Sequence, residues 1–533
     1  MFFGTTEQQV IAVSAFALLT WLSLFRKKKF TTPPGPPGWP LIGNMFDLPK
    51  KESWKAYLEW SNRYNSDVVS MKLAGTQFII LNSAKAIQDL LIKRSNIYSD
   101  RPYSTMIIDL YVFVGVLFLS LLINLVFSIE TTWLIVFMNN NDRWKIHRHL
   151  FKREFDSPEA SVVNKKHALQ ASRRLINRLL TSEDHEGELR LAAVDSILSI
   201  TYGITPTSFE HPFIKVTGEV NEIFADVARG GYLVDVFPAL KNLPRWLPGL
   251  RFHEIGDRGR GLARDVVQGP YKEIQRQVSK GTAGPSVASR FISSVQDGET
   301  MQPGEIDAMR NVLANAYLAG SDTSICALYN FVLAMALHPE VQKKAQQGLD
   351  DVLRGERLPD YGDFDRIPYL AAVVNEVFRW HPITPFAVYH VTTQDDSYNG
   401  YHIPKGAIIV PNAWAMLHDE SLFGPETGKF NPDRFVREDG TINYELSAVD
   451  MAFGYGRRAC PGRVIARDTI WMMAASMLTA YDIVNPTDLD GNKLTADSPL
   501  EFTNAMISFS PPFKVSLKRR IPESLIRDGM PRE

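Results

Sequence analysis

Two cysteines, Cys326 and Cys460, are all that 533 residues contain. A disulfide framework is therefore excluded, and a reducing, cytosol-facing location is the natural reading. No Asn-x-Ser/Thr acceptor with a permitted middle residue occurs either, which fits a body that stays out of the secretory lumen. An excess of one charge is missing too. Lys and Arg number 58 against 59 Asp and Glu, so nothing marks the chain as a nucleic-acid binder. Internal repeats and low-complexity tracts are absent, and the histidines form no credible metal set. What is present is 45% hydrophobic and 22% charged, the balance of a globular protein large enough to enclose a cofactor.

The amino terminus departs from that balance. Val10 to Phe25 is almost wholly apolar and is followed at once by Arg26, Lys27, Lys28 and Lys29. Such a run is just long enough to span a bilayer as a helix, with the basic cluster on the cytoplasmic side. A cleaved signal peptide fits less well, because the basic residues follow the apolar run and no small-residue cleavage site comes after. Residues 1–29 thus read as a membrane anchor. Pro33-Pro34-Gly35-Pro36-Pro37-Gly38 then reads as a semi-rigid spacer, making residues 30–40 a hinge and 41–533 the body.

Within the body, Val68 to Leu81 has a two-strand pattern with Ala74-Gly75 at its turn. Helical patterns dominate from about Ser83. Tyr401 to Val410 reads as a second hairpin turning at Pro404-Lys405-Gly406, and the last strand signals lie around Phe502 to Leu517. The expected fold is one large, mainly α domain with minor β.

The chemistry concentrates in Phe453-Gly454-Tyr455-Gly456-Arg457-Arg458-Ala459-Cys460-Pro461-Gly462. A lone cysteine is more often a small buried hydrophobe than a ligand. Here, however, three glycines let the backbone approach something flat and large. Two arginines before the thiol favour thiolate. Pro461 suits the first turn of a helix running through Val464 to Leu478, whose amino terminus adds partial positive charge near the sulfur.

This segment resembles the haem-ligand signature of the cytochrome P450 monooxygenases, Phe-x-x-Gly-x-Arg-x-Cys-x-Gly, at every position. The resemblance implies that Cys460 is the axial thiolate of a b-type haem, and that ligation favours O–O cleavage. It further implies that Arg458 pairs with a haem propionate, and that Phe453 and Gly456 pack near the ring and sulfur.

Other constellations gain meaning beside it. Glu376 and Arg379 share a face of the helical pattern Tyr369 to Trp380; alone they would read as an exposed ion pair. The family carries a Glu-x-x-Arg pair there, joined by an arginine that Asn431-Pro432-Asp433-Arg434-Phe435 supplies as Arg434. By resemblance the three are structural. Ala319-Gly320-Ser321-Asp322-Thr323-Ser324 lies in a long helical pattern from about Glu305 to Leu337. A helix-interior glycine there means either a small-residue helix crossing or room for a ligand. By resemblance it is the oxygen-activation motif, with Asp322 and Thr323 relaying protons. Trp144 and Arg148 share a helical face and resemble a pair that contacts a propionate; His390 falls where the family often places another propionate partner. Ile383 to Val388 would then line the substrate pocket, and Cys326 would be core.

The resemblance extends from the proline segment through Tyr98-Ser99-Asp100-Arg101-Pro102 to the final strands, and in style it is closest to fungal microsomal members. It implies a single-pass protein of the endoplasmic reticulum membrane with a cytosolic catalytic domain. The implied partners are an NADPH-dependent P450 reductase, a b-type cytochrome and a lipophilic small-molecule substrate of secondary or xenobiotic metabolism. Arg148, Lys152, Arg457 and Arg463 are the expected reductase contacts. A peroxide-driven peroxygenase or isomerase is the rival reading, and the Asp322-Thr323 pair argues against it.

One segment does not belong to the pattern. Val112 to Ile129 has no charged residue and reads as a second membrane span in mid-chain. It is a membrane-dipping insertion, a hydrophobic lid, or a retained intron translated in frame that would disable the enzyme. Codons with T in second place encode Phe, Leu, Ile, Met and Val, so a T-rich intron translates as an apolar run. Val codons begin with GT, the usual donor dinucleotide, which Val112 supplies.

Overall fold

The structure is a computed structural model of the chain. It describes residues 31–104, 133–229, 233–236, 238–244, 246–247, 250–443 and 446–530. The expected anchor and the apolar segment 112–129 lie outside the described residues.

The helices that frame the site are α1 (Ser53–Tyr64), α2 (Asp142–Phe155), α3 (Pro158–Arg178), α4 (His185–Tyr202), α5 (Pro212–Arg229), α6 (Phe252–Ser279), α7 (Glu305–Leu337), α8 (Pro368–Trp380) and α9 (Arg463–Ala480). Their starts follow local chemistry. Asn141, Ser157 and Asp184 each accept a backbone N–H with the side chain, and Pro158 occupies the first turn of α3. Gly203, at φ 70°, ends α4 in the left-handed region.

Helix α7 runs through the middle. It is apolar and long enough to cross a membrane by length and composition, yet mostly buried inside the protein. One core cluster joins Leu328, Phe331 and Met335 of α7 to α3, α8 and α9; another joins Met309, Val312 and Leu313 to α2 and α4.

The sheets are small. In the largest, β1 (Val68–Leu73), β2 (Thr76–Leu81), β6 (Ile408–Pro411) and β3 (His390–Val391) lie side by side in that order. The turn expected at Ala74-Gly75 is present, both residues having positive φ. The second expected hairpin is not. Strand β5 (Tyr401–Ile403) pairs with β4 (Asp396–Tyr398), whereas β6 pairs in parallel with β2. Both flanks of Pro404-Lys405-Gly406 are strands, but each finds a different partner. In the terminal region only Lys514–Arg519 (β8) is a strand, pairing with β7 (Tyr481–Thr487).

The proline-rich segment lies docked along β1. Ser70 donates its N–H to the Pro34 carbonyl at 2.8 Å and its hydroxyl to Pro33 at 2.6 Å. A Cβ on Gly35 would fall 1.8 Å from the Ser70 oxygen, so only glycine fits there.

Candidate functional site

The cysteine loop is shaped by two left-handed glycines, Gly454 (φ 84°) and Gly456 (φ 52°). A Cβ on Gly456 would meet the Leu91 carbonyl oxygen at 2.4 Å, so this glycine fits the loop against neighbouring backbone. The Cys460 N–H donates to the Phe453 carbonyl at 2.7 Å and closes the loop. Pro461 precedes the helix rather than entering its first turn: α9 starts at Arg463, capped by Gly462.

Burial pushes the Cys460 thiol up, while the Gly462 N–H and the charges of Arg148 and Arg463 pull it down. The cations expected to do this were Arg457 and Arg458. Arg457 is exposed. Arg458 turns away, donating to the carbonyls of Ser99 and Met138 at 2.7 Å each and lying 4.3 Å over the Trp144 ring. Arg148 also faces inward, beside Cys460 and 5.7 Å over Trp144, and so does not belong to an outer docking rim. Lys152, Arg457 and Arg463 are exposed.

A residue without an assigned role in the sequence reading, Arg101, completes this cluster. Its guanidinium is buried and donates to Val136 at 2.9 Å, Val388 at 2.6 Å and Tyr389 at 2.7 Å, all carbonyls. Burial and the nearby Arg458 pull its pKa far down, and burial pulls that of Arg458 to about 10. Neither guanidinium forms an ion pair within the described residues, and Arg458 Nη1 is buried with no hydrogen-bond partner. Asp100 lies near, but its Oδ1 accepts the Asn140 N–H. Asp100 offsets one of the two charges at most, so the pair keeps net positive charge and an unpartnered Nη1, a site suited to an anion.

His390 adjoins them on β3. Its Nδ1 lies 2.6 Å from the Tyr98 carbonyl, which can only accept, so Nδ1 carries the hydrogen. Burial and the charge of Arg101 pull the ring's pKa down, against the hydrogen bond to Tyr98.

Glu376, Arg379 and Arg434 come together as expected, but buried rather than exposed. Glu376 accepts from Arg379 at 2.6 and 2.8 Å, from Arg434 at 3.2 Å and from the Asn431 N–H at 2.7 Å. Arg379 also donates to the carbonyls of Leu417, Thr427 and Lys429. Every strong donor and acceptor is satisfied, which gives the pair a scaffold character.

On α7, Ala319 is exposed although Leu313 to Leu318 before it are buried, so this face opens on an internal space. Thr323, half-buried one turn on, donates to the Ala319 carbonyl at 2.7 Å. Burial raises the Asp322 carboxyl, against a hydrogen bond from Asn221 and the charge of Arg190. Gly320 does not face that space. A Cβ there would lie 2.8 Å from Ile197 Cγ1 of α4, so the glycine serves a close helix crossing and not room for a ligand.

A family model described as Cytochrome P450 matches residues 33–112 and 128–503, leaving out 113–127. Among curated proteins, Cytochrome P450 monooxygenase eriA of Hericium erinaceus is 41% identical over 531 residues, covering 99% of this chain and 96% of its own. Cytochrome P450 monooxygenase ple1 of Rhodocybe pseudopiperita is 38% identical, with 97% and 95% covered. Tryptamine 4-monooxygenase of Psilocybe cyanescens is 35% identical, with 94% and 95% covered.

Proposed function

The chain belongs to the cytochrome P450 family and is an oxygen-incorporating oxidoreductase, and we propose that it is a membrane-tethered haem-thiolate monooxygenase of lipophilic small molecules. The observation that carries this reading is the pair of guanidiniums beside the Cys460 loop, Arg101 buried and Arg458 half-buried with its Nη1 unpartnered, whose two charges the single nearby carboxylate of Asp100 does not balance. The propionates of a b-type haem are anions that suit such a pair, so the residues present fit the group.

In this reading Cys460 holds the haem iron, and Phe453 and Gly456 shape the loop behind it. Arg101 and Arg458 hold the propionates, helped by Trp144 and Arg148; His390 orients the strand through Tyr98. When bound, haem supplies the activation of O₂. Asp322, whose carboxyl pKa burial raises, is the proton source, and Thr323, whose hydroxyl donates to the Ala319 carbonyl, is the hydroxyl that would hold protons at this face of the helix. Glu376, Arg379 and Arg434 hold the core behind the loop. One atom of O₂ enters the substrate, with electrons from NADPH through a P450 reductase or a b-type cytochrome docking at Lys152, Arg457 and Arg463. The substrate is a secondary metabolite or xenobiotic; a relative named for action on tryptamine supports a small organic molecule. Residues 10–25 anchor the chain in the endoplasmic reticulum membrane, with the body in the cytosol.

The test is the reduced carbon-monoxide difference spectrum of the full chain beside Cys460→Ala. A thiolate-type band present in the first and lost in the second is expected. Its absence both from the full chain and from the chain without residues 112–129 overturns the reading.

Residues 112–129 are, in the same reading, a translated intron inserted into this body, and the family match leaves out 113–127 of them. The break in the family match supports this. So does the closed base beneath the segment, where the Arg101 N–H donates to Asn139 at 3.2 Å and Asn140 to Asp100 at 2.8 Å. Sequencing of mature messages is expected to find spliced forms without these codons; their presence in every message would end the idea.

A further inference from the structure

Ala319, Thr323, Cys326 and Asn330 form one stripe of α7, at intervals of four, three and four. Its first two members border the internal space. The next two do not; they are covered by a buried polar junction. Cys326 donates its S–H to the Ser508 carbonyl at 3.2 Å, and Asn330 donates to the His381 carbonyl at 3.2 Å. His381 and Ser508 are themselves joined, Nε2 to Oγ at 2.8 Å. The Ser508 hydroxyl donates to Thr503 at 2.8 Å, so it must accept from His381, and Nε2 carries the hydrogen. The Ser508 N–H donates to Ile383 at 2.8 Å. All four side chains are buried, and the His381 ring stacks on Phe502 at 3.4 Å.

The junction thus ties three stretches of chain to the helix that carries Asp322 and Thr323: α7 itself, the segment after α8, and the loop 502–510. It lies next along the stripe, about one to two helical turns beyond Thr323. Ile383 and Ile507, both half-buried, stand at its edge. Apart from Asn330 Oδ1, which is buried without a partner, the links of the junction are made, and breaking any of them leaves a further unpaired group.

We infer that this junction walls one end of the space beside Thr323, and that Cys326, His381 and Asn330 are positioning residues that fix the wall and through it the size of ligand admitted. The inference rests on the proposed function and deepens it. Cys326 acts as a hydrogen-bond donor, although its spacing and burial read as plain core packing.

The experiment uses two nitrogen ligands of haem iron, imidazole and 4-phenylimidazole, titrated spectroscopically on the full-length holoenzyme. Cys326→Ala removes the donor; Cys326→Ser restores it at smaller size. The ratio of the two dissociation constants is expected to move at least about threefold in Cys326→Ala and to stay at the unmutated value in Cys326→Ser. An unchanged ratio in both, or an equal change in both, overturns the inference. If Cys326→Ser does not incorporate haem, His381→Gln against His381→Phe poses the same choice, with donation kept in the first only. The haem-thiolate reading fails separately, by absence of the carbon-monoxide band both from the unmutated chain and from the chain without residues 112–129.

Discussion

Removing residues 113–127 separates the segment that the family model leaves out from the body that it matches. The described residues on either side of it are joined by hydrogen bonds of their own. Arg101 reaches Val136 and Asn139, Asn140 reaches Asp100, and Arg458 joins Ser99 to Met138. Farther along, Asn315 of α7 takes the Trp133 carbonyl at 2.7 Å and the Ile135 N–H at 3.0 Å, holding the downstream side. Each bond contributes about 1 kcal/mol net, and all survive the deletion. The connection between the two sides shortens from about 28 residues to about 13, which lowers the closure cost by about 0.7 kcal/mol. Deletion is therefore expected to preserve the thiolate-type carbon-monoxide band and to raise the thermal midpoint by no more than about 2 °C. The assay is band yield per mole of protein and the midpoint of the loaded chain. Loss of the band, or a fall of several degrees, would show that the segment is part of the folded body and refute the reasoning.

Arg101→Met removes the buried member of the two cations, so haem transfer to excess apomyoglobin should quicken about tenfold or more, while Arg457→Met, at an exposed position, leaves it unchanged. An unchanged transfer rate in Arg101→Met would count against a haem contact. Glu376→Ala leaves Arg379 and Arg434 without their buried carboxylate and should lower stability by about 3–5 kcal/mol, read by thermal unfolding; a loss under about 1 kcal/mol would mean the network is not structural. Asp322 has a raised carboxyl pKa in the fold, so its contribution is most favourable below the unfolded value near about 4 and is lost as pH rises through the folded value. Asp322→Asn should therefore gain stability against the parent at neutral pH and lose that gain near pH 4, while product formation falls and the carbon-monoxide band stays. A pH-independent difference in thermal midpoint would contradict the assignment.

What the sequence made legible was local. The cysteine loop, the Glu376–Arg379 spacing, the span of α7 and the turn at Ala74-Gly75 all follow from neighbours within a few residues. What it hid was long-range backbone. Arg101 was visible as a residue, but its partners are carbonyls at 136, 388 and 389, and no side-chain pattern marks a carbonyl as an acceptor. Arg458 was read as a charge for the adjacent thiol; instead it reaches Ser99 and Met138 across the fold, and Arg148 and Arg463 act on the sulfur. Strand pairing was hidden in the same way. The turn at Pro404-Lys405-Gly406 is real, yet β5 and β6 belong to different sheets, because the partner that completes β6 is β2, far earlier in the chain. Gly320 shows the limit of a motif: its place in the oxygen-activation pattern suggested ligand space, and its neighbour Ile197 supplies a packing reason.

These corrections change how haem loading and folding are connected. A guanidinium buried against carbonyls is hydrogen-bonded but still charged, and carbonyls do not neutralise it. Arg458 lies close enough to Arg101 to lower its pKa further, and Asp100 supplies one negative charge for the two. The protein without haem therefore carries an electrostatic penalty at the point where residues 98–101, 136–138 and the cysteine loop meet. Binding an anion relieves that penalty, and a ligand that binds the folded state alone stabilises it by mass action. The segments bordering 105–132 are thus expected to be the part of the body whose protection from hydrogen exchange rises most on haem loading, above that of the Glu376–Arg379–Arg434 network, which is satisfied without it. Equal gains in both regions would mean that haem stabilises the fold globally, and that the two cations are not where the coupling resides.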